Sequence, residues 1–130
     1  MATIKRFEDI EAWKSGKELC SKIGVLIDKE KFKKNFRLID QLEGSSGSIM
    51  DNIAEGFERG TRAEFITFLG YSKGSSGEFR SQLYRAIDRG YITKEEFEEL
   101  SQLAIHISSC IQNFIKYLQQ SEIAGVRKKN

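Results

Sequence analysis

The chain has no proline in 130 residues, where average usage of about 5% would give roughly six. Proline disrupts helix interiors and is common in loops, so its absence favours long helices joined by short connections. No apolar run approaches the roughly 20 residues that span a membrane, and residues 1–6 lack the apolar core of a signal peptide. We therefore expect a cytoplasmic protein that makes no membrane contact.

Histidine and cysteine are scarce, which limits the chemistry that one chain can support. His106 is the only histidine, so we expect no Ser-His-Asp or Cys-His catalytic site and no multi-histidine zinc site. A di-iron bundle centre would need glutamate three residues earlier, where Leu103 stands. Cys20 and Cys110 form no C-x-x-C unit and are interpreted as ordinary buried thiols of a reduced protein. We interpret His106 as a polar residue on a helix face and predict no enzyme activity, cofactor or metal site.

Charge is nearly balanced, with 21 basic and 19 acidic residues and a net charge of +2. This excess is too small to indicate nucleic-acid binding by itself. With 39% apolar and 31% charged residues, the composition is typical of a soluble domain that is large enough to bury a core.

Apolar residues recur at three- and four-residue steps in four segments, which predicts four helices. The first runs from about Asp9 to Ile27, and Asn35 is the expected N-cap of the second. Gly60 and Gly90 are placed to end the second and third helices. Two T-x-x-E capping boxes open the third and fourth helices: Thr61 with Glu64, and Thr93 with Glu96.

Short connections between these helices imply antiparallel neighbours. The predicted fold is therefore all-α, an antiparallel up-down-up-down four-helix bundle that forms a single domain over residues 1–124. The remaining residues, 125–130, are expected to form a frayed basic tail.

The tetrapeptide Gly-Ser-Ser-Gly occurs at 44–47 and again at 74–77, equidistant from the turn expected at Gly60-Thr61. In an antiparallel hairpin the two copies would face each other at the same height. Glycine costs roughly 1 kcal/mol relative to alanine in a helix interior, so we expect a compensating interaction. We predict close backbone packing in this seam, with a ligand cradle as the alternative. The glycines assigned to it are Gly44, Gly47, Gly70, Gly74 and Gly77.

The fourth predicted helix has no Asp, Glu, Lys or Arg from Leu100 to Ile115. Surface helices usually carry charge opposite the apolar stripe, and interfaces are depleted in Lys, Glu and Asp. We therefore predict a self-association surface, with coverage by the chain's own tail as the alternative. Its candidate residues are Gln102, Ile105, Ser109, Gln112 and Asn113.

Basic residues cluster in the connector before the second helix and, by the mirrored spacing, near the end of the third. The candidate nucleic-acid-binding residues are Lys29, Lys31, Lys33, Lys34 and Arg37, with Arg85 and Arg89. The acidic start of the fourth helix is expected at the same end, and a solvated charged loop is the alternative. Two polar stripes, Ser48 to Arg59 and Glu78 to Arg89, are interpreted as solvated faces with ion pairs, or as a binding surface.

Several motifs resemble a bacterial family of four-helix-bundle proteins that are encoded in intervening sequences of 23S ribosomal RNA genes. They are F-E-D-I at 7–10 with Trp13, Gln41, S-I-x-x-N-I-A-E-G at 48–56, and Gly74-Ser75 with Glu78. The resemblance covers about residues 7–120 and implies a cytoplasmic bundle that assembles into a ring, a pentamer. It also implies structural or interface roles for Asn52, Glu55, Gly56 and Glu78.

A related accessory protein of diversity-generating retroelements binds a reverse transcriptase and nucleic acid. The bundle family encoded in 23S ribosomal RNA intervening sequences tends to have arginine after the position of Gln41, whereas Glu43 and Gly44 stand here. A nucleic-acid contact through that arginine is therefore not carried over. Two functions stay open. One is a homo-oligomeric accessory protein that associates with RNA or DNA, and the other is a scaffold that binds another protein and no nucleic acid. Salt-dependent retention on nucleic acid separates them, because phosphate contacts release counterions.

Overall fold

The computed structural model describes residues 4–32 and 35–129, and side chains as far as Ser121. It contains four α-helices: α1 (Glu11–Ile27), α2 (Phe36–Glu58), α3 (Arg62–Asp88) and α4 (Lys94–Lys129). Two 3-10 turns, Phe7–Asp9 and Glu30–Phe32, precede α1 and α2. Each helix packs against the next, and α1 packs against α4, which closes the bundle. The predicted all-α four-helix bundle is confirmed.

Contacts between the helices show that neighbours run in opposite directions. Ser72 of α3 donates a hydrogen bond to the carbonyl of Ile49 in α2. Further along α3, Gln82 accepts a hydrogen bond from Ser45, which lies earlier in α2, so the two helices are antiparallel. Near the end of α1, Lys22 Nζ lies 2.7 Å from Glu99 Oε2 in an early turn of α4, whereas Glu11 at the start of α1 lines a pocket with the later residue Phe114. Residues 125–129, which were expected to fray, continue the backbone of α4, and Asn130 lies outside the described residues.

Local caps fix the helix ends where the sequence places them. Asn35 Oδ1 accepts a hydrogen bond from the Leu38 amide at 3.2 Å and so caps α2. Thr93 and Glu96 form a complete capping box: each side chain accepts from the other's amide, at 3.0 and 2.8 Å. The Thr61 hydroxyl accepts from the Glu64 amide at 3.2 Å but donates to the Glu64 carboxylate, so this box is only half formed.

Glycines in left-handed conformations end α2 and α3. Gly60 has a φ of 87° and Gly90 a φ of 75°, values that side-chain-bearing residues rarely adopt. The short turns that follow reverse the chain and bring α2 beside α3 and α3 beside α4.

The core is mostly aliphatic and draws on every helix. Its fully buried side chains include Leu19, Ile23, Leu42, Ile49, Ile53, Leu69, Phe79, Leu83, Leu100 and Ile107. Phe32 of the second 3-10 turn closes one end of the core, with its ring centroid 5.0 Å from that of Tyr91. Trp13 is half-buried, and its ring meets that of Phe7 edge-on, with the centroids 5.3 Å apart.

The glycines of the repeated tetrapeptide do not form the helix seam. Apart from the adjacent residues and the backbone of its own helix, a Cβ atom added at Gly44, Gly47, Gly70, Gly74 or Gly77 would meet no atom within 4 Å. The prediction of close packing at these positions is therefore wrong. Ser45 and Ser46 follow Leu42 and precede Ile49 at helical spacing, so the serines face inward and Gly44 and Gly47 flank them.

Hydroxyl groups fill the seam between α2 and α3 instead. Ser72 Oγ donates to the carbonyl of Ile49 at 2.8 Å, and Ser45 Oγ donates to Gln82 Oε1 at 2.6 Å. Ser76 extends the pattern to α4, because its Oγ donates to the carbonyl of Ala104 at 2.8 Å. These buried polar groups are thus paired across helices, as buried hydroxyls require.

Candidate nucleic-acid interface

Three of the predicted basic residues surround one cleft, where α2 begins and α3 ends. Arg37, Arg85 and Arg89 line this arginine cleft, and its volume is about 260 Å³. Asn35, Leu38 and Asp88 complete the lining. The antiparallel pairing of α2 and α3 is what brings the first turn of one helix beside the last turn of the other.

All three arginines of the cleft are exposed. Arg85 Nη2 donates to Gln41 Oε1 at 2.8 Å, which holds this guanidinium against α2. The first amide groups of α2 add positive potential at the cleft, while Asp88 and the carboxyl end of α3 oppose it. Three permanent positive charges against one carboxylate leave the cleft positive.

Among the described connector lysines, Lys29 and Lys31 do not line this cleft. Lys29 and Lys31 are exposed, and Lys29 Nζ lies 3.8 Å from a carboxylate oxygen of Glu96. The backbone amide of Thr93 and, secondarily, the charge of Lys29 hold the pKa of Glu96 below its ordinary value. Lys33 and Lys34 lie outside the described residues.

The family-motif residue Asn52 belongs to a polar chain between α2 and α3. Its Nδ2 donates to both the carbonyl and the hydroxyl of Ser48 at 2.9 Å. Ser75 of α3 donates to the same hydroxyl at 3.0 Å. Asn52 therefore orients a side chain that bonds across the helix pair.

The remaining motif residues lie in different surroundings. Glu55 Oε2 lies 2.7 Å from Arg59 Nη2 in an exposed ion pair at the end of α2, and Glu78 is exposed on α3. Gly56 is buried, and a Cβ atom there would lie only 2.6 Å from Phe68 Cβ. Gly56 is thus a position of close helix approach, unlike the glycines of the repeat.

One polar stripe is less solvated than the sequence suggests. Gln82 lies in the stripe that runs from Glu78 to Arg89, but it is buried and accepts from Ser45. Arg59, at the end of the other stripe, bridges Glu55 and Glu64 and lies 4.9 Å from the centre of the Phe68 ring. The stripe from Ser48 to Arg59 therefore contains exposed ion pairs. The stripe from Glu78 to Arg89 contacts α2 through hydrogen bonds of Gln82 and Arg85.

The candidate self-association residues lie together on one side of α4. Gln102, Ile105, Ser109 and Asn113 are exposed, and Gln112 is half-buried. Ile105 is 37% exposed, which is unusual for a large aliphatic side chain in this bundle. Since α4 continues as a helix to Lys129, its end does not fold back over this uncharged face.

The structure also brings together two residues that the sequence analysis treated separately. His106 and Cys110 are one turn apart on α4, and Cys110 Sγ lies 3.5 Å from His106 Nε2. Burial and the charge of Glu11 raise the pKa of the Cys110 thiol. The H-x-x-x-C spacing was a visible signal, because residues four apart share a helix face.

A second groove, of about 710 Å³, lies between α1 and α2. Cys20, Gly24, Val25 and Gly47 are among its lining residues, so it runs beside one outward-facing glycine of the repeat. The ligand-cradle alternative placed a cavity in the α2–α3 seam, whereas this groove lies on the other side of α2.

Within the described ranges, no helix is long and apolar enough to span a bilayer.

The fold and surfaces define a class: small all-α bundle proteins with a basic cleft at one end and an uncharged helix face. The chain belongs to the 23S rRNA-intervening sequence protein family, whose model matches residues 8–113. The resemblance found in the sequence is thereby confirmed.

A solved structure shares the fold at 24% sequence identity. It has a TM-score of 0.74 and covers 81% of this chain and 95% of its own. It is described as a protein with unknown function from the S23 ribosomal protein family of Bacteroides thetaiotaomicron. At this level of identity the likeness extends to the fold alone. Among curated proteins, none matches the chain.

Proposed function

We propose that the protein is a non-enzymatic, homo-oligomeric accessory protein that associates with RNA or DNA through the arginine cleft. The observation that carries this proposal is the convergence of Arg37, Arg85 and Arg89 on one exposed cleft. A guanidinium group presents its N–H donors in a planar fork that matches phosphate oxygens. Phosphate contacts supply affinity that does not depend on base sequence.

The affinity of one subunit is expected to be modest and sensitive to salt. Three phosphate contacts correspond to a loss of about 40-fold in the association constant of a duplex between 50 and 200 mM salt. Asp88 in the cleft lowers the affinity further. A ring would repeat the cleft in every subunit, so weak contacts on one nucleic acid act together through effective concentration.

The test compares two triple variants of equal charge. Arg37→Gln/Arg85→Gln/Arg89→Gln removes the charge of the cleft. The control, Lys14→Gln/Lys17→Gln/Lys116→Gln, removes three charges from exposed sites on α1 and α4. Retention of labelled duplex RNA and DNA is measured at 50 and 200 mM salt. We expect the cleft variant to lose most of the binding and the control to keep most of it.

Equal losses in the two variants would show that net charge alone is responsible. Tight binding that neither higher salt nor the arginine substitutions weaken would show that the cleft is the wrong site. Thermal unfolding followed by circular dichroism confirms that each variant is folded.

The alternative is a scaffold that binds another protein and no nucleic acid. The observations that favour it are the large groove between α1 and α2 and the exposed Val25 on its lining, which is 62% exposed. An absence of retention on nucleic acid, even at low salt, would favour this alternative.

Self-association is proposed to run through the uncharged face of α4, with a pentamer as the assembly that the family resemblance implies. An exposed face without charge favours an interface, because charges that become buried there must be desolvated or paired. The cytoplasm is the expected location of such an assembly.

A further inference from the structure

We propose that His106 and Cys110 form a two-ligand site for Zn²⁺ on the exposed side of α4. This site is separate from the arginine cleft, and it borders the uncharged face of α4, with which its pocket shares Asn113. Both residues lie on the same helix face, one turn apart, so the helix itself fixes their relative position.

The distance between the two donor atoms suits a tetrahedral ion. Zn–S bonds of about 2.3 Å and Zn–N bonds of about 2.0–2.1 Å, at tetrahedral angles, place sulfur and nitrogen about 3.5 Å apart. Cys110 Sγ and His106 Nε2 are 3.5 Å apart. An ion can therefore bridge them without a change in their separation.

The surroundings leave room for the other ligands of the ion. His106 is exposed and Cys110 is half-buried, so water can fill the two remaining positions. Glu11 and Asn113 line a pocket of about 240 Å³ beside the thiol, and the Glu11 carboxylate favours a cation there. The described part of the chain offers no cluster of three or more ligating side chains, so the protein would supply only these two ligands.

The two donor groups suit zinc in kind as well as in spacing. Thiolate and imidazole are both preferred zinc ligands. On binding, the S–H bond breaks, its proton passes to solvent, and an S–Zn bond forms. The neutral imidazole contributes its Nε2 lone pair, and no atom changes oxidation state.

Cobalt provides a spectroscopic test, because Co²⁺ occupies zinc sites and absorbs when bound to thiolate. The full chain, reduced and freed of metal by a chelator, is titrated with Co²⁺. We expect a thiolate-to-cobalt charge-transfer band that saturates at one ion per chain and disappears when Zn²⁺ is added.

Three substitutions locate the ligands. Cys110→Ser should abolish the band, and His106→Ala should weaken Zn²⁺ binding at least tenfold, roughly the smallest loss seen when residues around metal ligands are changed. Cys20→Ser is the matched control, because Cys20 is also half-buried but lies between α1 and α2, away from the histidine. It should keep the band.

The proposal is overturned if the wild-type chain shows no band, or if His106→Ala binds Zn²⁺ as tightly as the wild type. Saturation at half an ion per chain would also overturn it, since the ligands would then come from two chains. Circular dichroism verifies folding, and Cys110→Ala replaces Cys110→Ser if the serine variant is unfolded.

Discussion

Gly56 lies where α2 approaches the aromatic side chains of α3. An added Cβ would lie 2.6 Å from Phe68 Cβ and 3.1 Å from Phe65 Cδ1, and real Cβ atoms do not tolerate the shorter distance. Gly74 is also in a helix interior, but it is exposed, and its added Cβ would meet nothing within 4 Å apart from the adjacent residues and the backbone of its own helix. The same residue type therefore has opposite roles at these two positions.

Replacing each of these glycines with alanine should change stability in opposite directions. Gly56→Ala should lower the free energy of unfolding by about 1–3 kcal/mol, because the helices must move apart. Gly74→Ala should raise it by about 0.4–1 kcal/mol, because alanine restricts the unfolded chain and favours helix. Urea unfolding of both variants and the wild type checks this pair. If Gly74→Ala lowers the free energy of unfolding instead, the surface around Gly74 is covered in solution and the prediction is wrong.

At the scale of a helix, the start of α4 combines a capping box with an ion pair. The Glu96 carboxylate accepts from the Thr93 amide and lies near Lys29. Both interactions favour the charged form, so the pKa of Glu96 is lower in the folded protein than in the unfolded chain. The cap is therefore linked to pH.

This linkage predicts that the difference in free energy of unfolding between wild type and Glu96→Gln depends on pH. Because the folded pKa is depressed, the carboxylate's contribution is fully present above the unfolded value of about 4.3. It is lost as the pH falls through the folded value. We expect the wild type to be more stable by about 0.3–1 kcal/mol at pH 7 and the two proteins to converge near pH 3.

Urea unfolding across this pH range measures the difference. Glu95→Gln is the control, since Glu95 carries the same charge in the same turn but is not the capping-box residue. A gap between wild type and Glu96→Gln that stays constant down to pH 3 would contradict the prediction.

The sequence predicts helix ends well because caps are local. Asn35, Gly60, Gly90 and the Thr93–Glu96 box each act through bonds or backbone angles within a few residues. Which side of a helix faces its neighbour is decided by the whole core. Glycine and serine are both small, so the repeat alone did not reveal that serine points inward.

The candidate site was predictable to a similar extent. The mirrored spacing placed Arg85 and Arg89 at the end of the bundle where α2 begins, and the structure brings them together with Arg37. The sequence placed the acidic start of α4 near the basic connector, but the pairing of Lys29 with Glu96 was not visible, because it depends on how the end of α1 packs near α4.

At the scale of the whole molecule, the bundle has a side without charge. Between Leu100 and Ile115, α4 presents polar amides, a serine, His106 and Ile105 to the surface. A lone bundle gains nothing from an exposed isoleucine at this position. Covering it with another copy removes that apolar surface from water and leaves no charge to desolvate.

We expect the wild-type protein to be a homo-oligomer at micromolar concentration, as measured by light scattering. Ile105→Lys should reduce the assembly towards monomers, because an unpaired charge in an interface costs several kcal/mol. Thr67→Lys, at an exposed site on α3, is the control and should leave the mass unchanged. A wild-type protein that is monomeric under these conditions rules out self-association.

Trp13 gives the protein a single, well-placed fluorophore. It is the only tryptophan, and its ring lies edge-on to Phe7 of the first 3-10 turn. Its emission therefore reports on the docking of that turn onto α1, while circular dichroism reports on all four helices. Unfolding curves from the two signals coincide only if the turn and the bundle melt as one cooperative unit. The position of one indole thus makes the N-terminal segment's cooperativity measurable without adding any label.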